Sequence, residues 1–282
     1  MSTTIDVAFT KQFESEVHVA YQRMGTMLRN TVRIKNGIQG KDTTFQKVGK
    51  GVAGQKTRHG KVPTMNVEHT NALCTLQDWY AGDWCDKLDE LKTNIDERRI
   101  LAEAGAFALG RKTDDLIITA AETTTNTSVT GGTFNDGLDL TDCTAIMQAF
   151  GNADIPDDGN RFAIVGWAQW NHLLQMKEFA SQDYVPTSEM PYTRGTQAKR
   201  WLSFIWIPMS TTDGGLANDG TSTTCLFYHR SAIGHAIGAE VSSDITWHGD
   251  YAAHFINNMM SQGSCLIDNN GVYKIATADV LS

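Results

Sequence analysis

The chain has 282 residues, 41% of them hydrophobic, and a net charge of −8; this is enough apolar material for one or two packed domains and excludes a disordered protein. It shows no charged, then apolar, then small-residue leader and no run of about 18 apolar residues, which argues against ordinary secretion and against a membrane-spanning helix. Five scattered cysteines, Cys74, Cys85, Cys143, Cys225 and Cys265, lack any C-x-x-C spacing, so reduced and mostly buried thiols are expected and a zinc site is not.

In chain order, Phe13, Val17, Tyr21, Met24 and Leu28 share one face of an amphipathic helix expected over Phe9 to Arg29. Residues 31–63 then hold two short β-prone pieces, Thr31 to Ile34 and Thr43 to Val48, separated by glycines. With so few large apolar side chains the segment cannot bury a core of its own and is expected to project as a two-stranded hairpin with a flexible tip. Nine basic residues lie between Arg29 and Lys61 (Arg29, Arg33, Lys35, Lys41, Lys47, Lys50, Lys56, Arg58 and Lys61) against one acid, Asp42, a charge of +8. The remaining chain holds 15 basic and 31 acidic residues, or −16, so a basic arm is attached to an acidic body.

The arm contains two phosphate-binding look-alikes. Gly49-Lys50-Gly51-Val52-Ala53-Gly54 fits G-x-G-x-x-G, but residues 55–63 are polar and end in Pro63, so no helix N-terminus follows to face a pyrophosphate. The P-loop reading fails because Gln55 separates Gly54 from Lys56. Nucleic-acid binding by the basic arm is opposed by its single aromatic, Phe45, and by the acidity of the body.

Thr64 to Tyr80 is β-rich and leads into the longest periodic stretch, Trp84 to about Ala121. Trp84, Leu88, Leu91, Ile95, Ala102, Ala106 and Leu109 form an apolar stripe, and Asp86, Asp89, Glu90, Asp96 and Glu97 lie on the charged face. A helix capped by Asp83 is expected, roughly 40 Å long to Leu109, with a small-residue segment at 102–108 where another backbone approaches. After the polar connection at 122–132 the pattern is α/β. Helices are expected at Thr141 to Gly151 and Ala168 to Phe179, strands at Phe162 to Gly166, Leu202 to Pro208 and Thr223 to Tyr228, and irregular chain at 182–200 and 210–222.

No H-E-x-x-H, G-x-S-x-G or paired-cysteine motif is present, and the eight histidines form no ligand-like group. His229 and His235, near Asp244 and Asp250, are the only acid–base arrangement on offer, and hydrogen-bonded structural histidines are the simpler reading. No enzyme activity, metal or cofactor is expected.

The order of elements carries a resemblance: helical arm, basic glycine-rich hairpin, long spine helix, α/β domain, and a late return strand from Asp250 to Met260. The opening from Phe13-Glu14-Ser15-Glu16-Val17 through Gln22-Arg23-Met24-Gly25 to Leu28-Arg29-Asn30 adds to it. The chain resembles the major capsid proteins of tailed bacteriophages, with the Hong Kong 97-like fold, an α+β architecture. The resemblance implies an N-terminal arm at 1–33, an extended loop at 34–72, a peripheral domain at 73–125 and 238–262, and an axial α/β domain at 126–237 and 263–282. It implies a return strand beside the spine helix and a terminal segment, Ser264 to Ile275, closing onto the α/β domain.

The function it implies is self-assembly through hexamers and pentamers into an icosahedral head enclosing double-stranded DNA, the DNA being contacted weakly at the inner surface. The resemblance further implies a virion location, assembly in the bacterial host cytoplasm, and portal, scaffold or decoration proteins as further partners. An encapsulin-like nanocompartment shell is the alternative of the same fold. Charge supports the shell independently, since a +8 arm on a −16 body is complementary between copies. The nine basic residues of the arm are therefore expected to meet Asp86, Asp89, Glu90, Asp96 and Glu97 of a neighbour. Such a heterologous contact closes into rings or shells.

Overall fold

A computed structural model describes residue 23 and residues 25–88, 97–180 and 199–280. The first half contains β1 (Arg33–Asn36), β2 (Asp42–Val48), β3 (His69–Thr75), β4 (Gln77–Asp86) and the helix α1 (Glu97–Glu122). There follow α2 (Leu140–Asn152), β5 (Arg161–Gly166), α3 (Trp167–Gln175), α4 (Lys177–Ala180), β6 (Lys199–Trp201), β7 (Phe204–Met209) and β8 (Ser222–His229). The chain closes with β9 (Ile233–His248), β10 (Ala253–Leu266) and β11 (Val272–Ala278).

These strands make a five-stranded sheet in the order β11-β8-β5-β7-β6, a four-stranded sheet β1-β9-β10-β4, and the separate pair β2-β3. Strand β5 is buried at every position, and its alternation divides the core in two. Phe162 and Ile164 point to a cluster with Leu28, Val32, Ile117, Ile118, Tyr228 and Val272, under α1. Ala163 and Val165 point the other way, to Phe150, Trp170, Phe179, Trp206 and Phe227, under α2 and α3. Helix α2, which starts one residue before the expected Thr141, is capped by Asp139, which accepts from Asp142 N at 2.7 Å in a reciprocal capping box.

Helix α1 links the two sheets. Its C-terminal half, with Ile117 and Ile118, covers the five-stranded sheet. Its N-terminal half lies on β10 and β4 at the small residues: a Cβ on Gly105 would overlap the Asn258 side chain and sit 3.3 Å from the Ala81 carbonyl. The expected close approach is thus real. A second notch, Gly110, receives the backbone of Gly25. Beside it Asp114, fully buried, accepts from Met27 N and Leu28 N at 3.1 and 3.0 Å and from the Thr26 hydroxyl, and pairs with Arg23 at 3.3 Å. The carboxylate thereby satisfies backbone donors that the entering chain cannot pair locally.

Several expectations are corrected. The helix does not begin at Trp84, and Asp83 is not its cap: residues 77–86 are the edge strand β4, with ten positions paired antiparallel to β10, Asp83 opposite Ile256 and Trp84 opposite Phe255. The spacing of Trp84, Leu88 and Leu91 imitates a helical stripe, but a strand partner with aromatic pairing overrides it. A helical turn does open at Lys87; residues 89–96, with Leu91 and Ile95, lie outside the described residues. Of the expected Phe9 to Arg29 helix, residues 9–22 and 24 also lie outside them, while residues 25–28 are not helical and Arg29–Thr31 is a 3-10 turn.

The expected helix over Ala168 to Phe179 is broken at Met176, whose backbone is extended at ψ 129. The first β-prone piece does not pair with the second: β1 runs parallel to β9, and the hairpin partner of β2 is β3. The sixteen-residue strand β9 was not anticipated at all. The return strand does lie beside α1, and beyond Leu266 the chain comes back as β11 on β8. Residues 182–198 of the expected excursion lie outside the described residues, and Lys199 and Arg200 belong to β6.

Candidate assembly surfaces

The hairpin has a root and a tip with opposite character. At the root, Phe45, Cys74, Leu76 and Ala236 are buried together, with Ile38, Ala72, Cys265 and Ile267 against them. The Phe45 ring lies over Gly234 of β9, where a Cβ would come within 2.8 Å of it, so glycine there is a packing requirement. Seven β2–β3 register pairs carry the hairpin outward to Val48 and His69.

From Gly51 to Glu68 the chain is without helix or strand, and Val52, Val62 and Met65 are 80%, 73% and 57% exposed. Its two limbs run close together: a Cβ on Gly51 would overlap Met65, and one on Gly54 would come within 2.7 Å of Pro63.

The structure divides the nine basic residues. Five are engaged on their own chain. Arg29 pairs with Glu240, Arg33 stacks over Phe45 at 5.7 Å, and Lys35 donates to the Thr43 hydroxyl at 2.7 Å. Lys47 pairs with Asp268 and Lys50 with Asp154, each at 2.7 Å. Exposed pairs of this kind contribute little energy but set the direction of the hairpin.

The other four, Lys41, Lys56, Arg58 and Lys61, are exposed and have no ion-pair partner among the described residues. Three of these four, Lys56, Arg58 and Lys61, lie at the tip. Of the expected acids, Asp86 is exposed and its carboxylate accepts from Leu88 N at 2.7 Å, while Glu97 is half-buried and accepts from the Cys85 thiol at 3.7 Å. Asp89, Glu90 and Asp96 lie outside the described residues.

An acidic, apolar strip that the sequence reading missed runs along β9. Strand β1 covers only Gly234 to Ile237, so among the described residues the outer edge of β9 has no strand partner from Ala239 to His248. Every residue from Glu240 to His248 apart from Val241, Ile245 and Trp247 is polar, and those three are large, exposed and on one face. The alternation Val241-x-x-x-Ile245-x-Trp247 was the available signal. From Ser231 to Tyr273 there is no Lys or Arg, against Glu240, Asp244, Asp250 and Asp268. Free strand edges in monomeric proteins are usually blunted by Lys or Pro; this one carries neither. At its end an aromatic group caps the sheet, with Trp84 4.8 Å from Tyr251, 4.6 Å from Phe255 and 5.2 Å from His248 between ring centroids.

The histidines support the structural reading. His229 bonds Asp158 at 3.1 Å and Ser231 at 2.7 Å, and His235 bonds Ser264 at 2.8 Å and Gln262 at 3.2 Å, so neither meets Asp244 or Asp250. Burial pushes the His235 pKa down to about 4 and keeps the ring neutral. Among the described residues no group of three or more His, Cys, Asp or Glu is arranged to hold a metal ion. An open cavity of about 480 Å³ is lined by Ser128, Val129, Gln148, Asn152 and Tyr273, with no titrating side chain matched to a nucleophile. All five cysteines are free, four buried and Cys265 half-buried.

Comparison with curated protein sequences gives no match. The search of solved structures matches nearly the whole chain. The capsid structure of the cyanophage P-SCSP1u aligns with a TM-score of 0.71 at 18% identity, covering 99% of this chain and 95% of that one. Mycobacterium phage Che8 aligns at 0.69 and 16% identity, covering 95% and 97%. The head structure of the Helicobacter pylori bacteriophage KHP40 aligns at 0.72 and 10% identity, covering 98% and 97%. At these identities the likeness establishes the fold, and the Hong Kong 97-like architecture accounts for the spine helix and the two sheets it joins. The family model described as phage capsid protein matches residues 5–279. The projecting hairpin and the open sheet edge are thus features of a chain that belongs to the phage capsid protein family.

Proposed function

We propose that copies of this chain join as hexamers and pentamers of an icosahedral head around double-stranded DNA, the hairpin tip of each copy lying on the acidic strip of its neighbour. The single observation behind this reading is the complementarity of the two exposed surfaces. The tip offers Val52, Val62 and Met65 with Lys56, Arg58 and Lys61; the strip offers Val241, Ile245 and Trp247 on one face of β9 and Asp244 on the other, with Glu240 at its start. Two β9 edges would not suit each other, because both are acidic. Asp86 at the end of β4 and Glu97 at the start of α1 are further acidic partners in this reading, joined by Glu240 and Asp244 of the strip. Buried apolar area supplies cohesion and charge selects the partner.

In this reading residues 1–33 act as the arm, 34–72 as the extended loop, 73–125 with 238–262 as the peripheral domain, and 126–237 with 263–282 as the axial domain. Assembly takes place in the host cytoplasm, with portal and scaffold or decoration proteins as further partners, and the acidic body holds packaged DNA weakly. The test replaces residues 52–64 by a short Gly-Ser turn, leaving Phe45 and the root intact. Soluble subunits without shells by negative-stain microscopy are the expected result; shells of normal size from the shortened chain contradict the proposal. Reversing Lys56, Arg58 and Lys61 to Glu gives the same loss if charge selects the partner. Its restoration by Glu240→Lys with Asp244→Lys identifies the strip.

A further inference from the structure

We propose that Cys74 and Cys265 form an oxidation site, a dithiol that closes to an intrachain disulfide and staples the root of the hairpin to β10. The crossing of two strands brings them together. The β4–β10 ladder runs from Asp86 opposite Ala253 to Gln77 opposite Gln262. Strand β3 precedes β4 by the single residue Leu76 but pairs with β2 instead of β10, so the chain leaves the ladder there and crosses over the face of β10. The backbones are in contact at that crossing, since a Cβ on Gly263 would overlap the Thr75 carbonyl. Cys74 and Cys265 pack in the same cluster beside it, and a disulfide between them requires Cα atoms about 4.4–6.8 Å apart.

The side chains complete the arrangement. Both residues belong to the root cluster of Phe45, Leu76 and Ala236. The neighbouring Cys265 thiol and the Ala236 backbone hold the Cys74 thiol below the ordinary cysteine value, while Cys74 and burial push the Cys265 thiol up. Cys74 is 1% exposed, while Cys265 is half-buried and open to a small reagent. The remaining cysteines are situated differently: Cys143 and Cys225 lie in the core under α2, where burial pushes both thiols up, Cys225 to about 12.

The reaction with a low-molecular-weight disulfide such as oxidised glutathione has two exchanges. Cys265 gives its proton to solvent, its thiolate attacks one sulfur of the reagent, the departing glutathione thiolate takes up a proton, and a mixed disulfide remains. Cys74 thiolate then attacks the Cys265 sulfur, the second glutathione leaves, and it takes up the proton that Cys74 lost. Two protein thiols are oxidised by two electrons and one reagent disulfide is reduced to two thiols. The product ties β3 to β10 where the hairpin leaves the body, so its direction becomes covalently fixed.

The purified full-length chain is treated with oxidised glutathione, quenched by alkylation, and examined by intact mass and non-reducing peptide mapping. One species lighter by two hydrogens is expected, with the Cys74 and Cys265 peptides joined and Cys85, Cys143 and Cys225 alkylated only after denaturation. Cys74→Ser, nearly isosteric, is expected to retain a stable glutathione adduct on Cys265, and amide exchange across Thr43 to Val48 to slow several-fold on oxidation of the unsubstituted chain. A fully reduced product, a persistent adduct in the unsubstituted chain, or a bridge from either cysteine to another position overturns the proposal, whatever the outcome for shell assembly.

Discussion

The five-stranded sheet and the outer half of the four-stranded sheet obey opposite rules within one chain. In the first, β5 is buried on both faces and its neighbours carry Trp206, Phe227 and Tyr228 at 0–1% exposure. In the second, β9 beyond Ala239 has a bare edge, one exposed apolar face and no basic residue. The first region buries its apolar side chains within the sheet; the second, like the hairpin tip, carries large apolar side chains that are exposed. The difference teaches why the proposed assembly contacts are sought at the hairpin tip and the β9 edge, where exposed apolar side chains lie, and not at the closed five-stranded sheet.

The sharpest way to break this comparison is to remove one tryptophan from each region. Trp206→Ala is expected to cost about 3–5 kcal/mol in urea unfolding of the monomer, as for large-to-small core substitutions. Trp247→Ala is expected to change monomer stability within about 0.5 kcal/mol while reducing the yield of shells; equal stability losses would mean that the strip is core.

Asp114→Ala is expected to cost nearly as much as the core tryptophan, about 3–5 kcal/mol, because it strands Arg23 and the Met27 and Leu28 amides. Limited proteolysis near residue 25 should speed up with it.

The third prediction concerns pH. His235 titrates at about 4 in the fold against an ordinary value of 6.5, so between these values the unfolded chain binds the extra proton and stability rises with pH. The contribution is present in full above pH 6.5 and is lost as pH falls toward 4, on the order of 3 kcal/mol. His235→Gln should flatten that part of the stability–pH curve; an unchanged slope would assign it to other groups.

Gly105→Ala gains about 1 kcal/mol of helix propensity but meets Asn258 and the Ala81 carbonyl, so a net loss of about 1–2 kcal/mol is expected by chemical denaturation. The smallest effect belongs to Lys50→Ala, which removes an exposed ion pair with Asp154 and should leave the melting temperature unchanged.

Much of the architecture was legible in local pattern. The apolar run Phe162 to Gly166, the helix after Asp139, the small residues at 102–108 and the charge split between arm and body all have local causes, in burial, capping, helix packing and charge. What was misread depends on distant partners. Trp84 fits a helical stripe as well as it fits a strand, and only Phe255, far along the chain, decides between them. The root of the hairpin was invisible for the same reason: Phe45 reads as a lone aromatic in a polar arm until Gly234 leaves room for its ring.

By itself the sequence determined that this chain has a packed α/β part, a basic projection and an acidic remainder, because periodicity and charge are properties of neighbours along the chain. The tertiary structure alone decided which basic residues pair within their own chain and which edge of the four-stranded sheet β1 leaves uncovered. Those follow from strand register, and register is settled by contacts between segments that the linear order keeps apart.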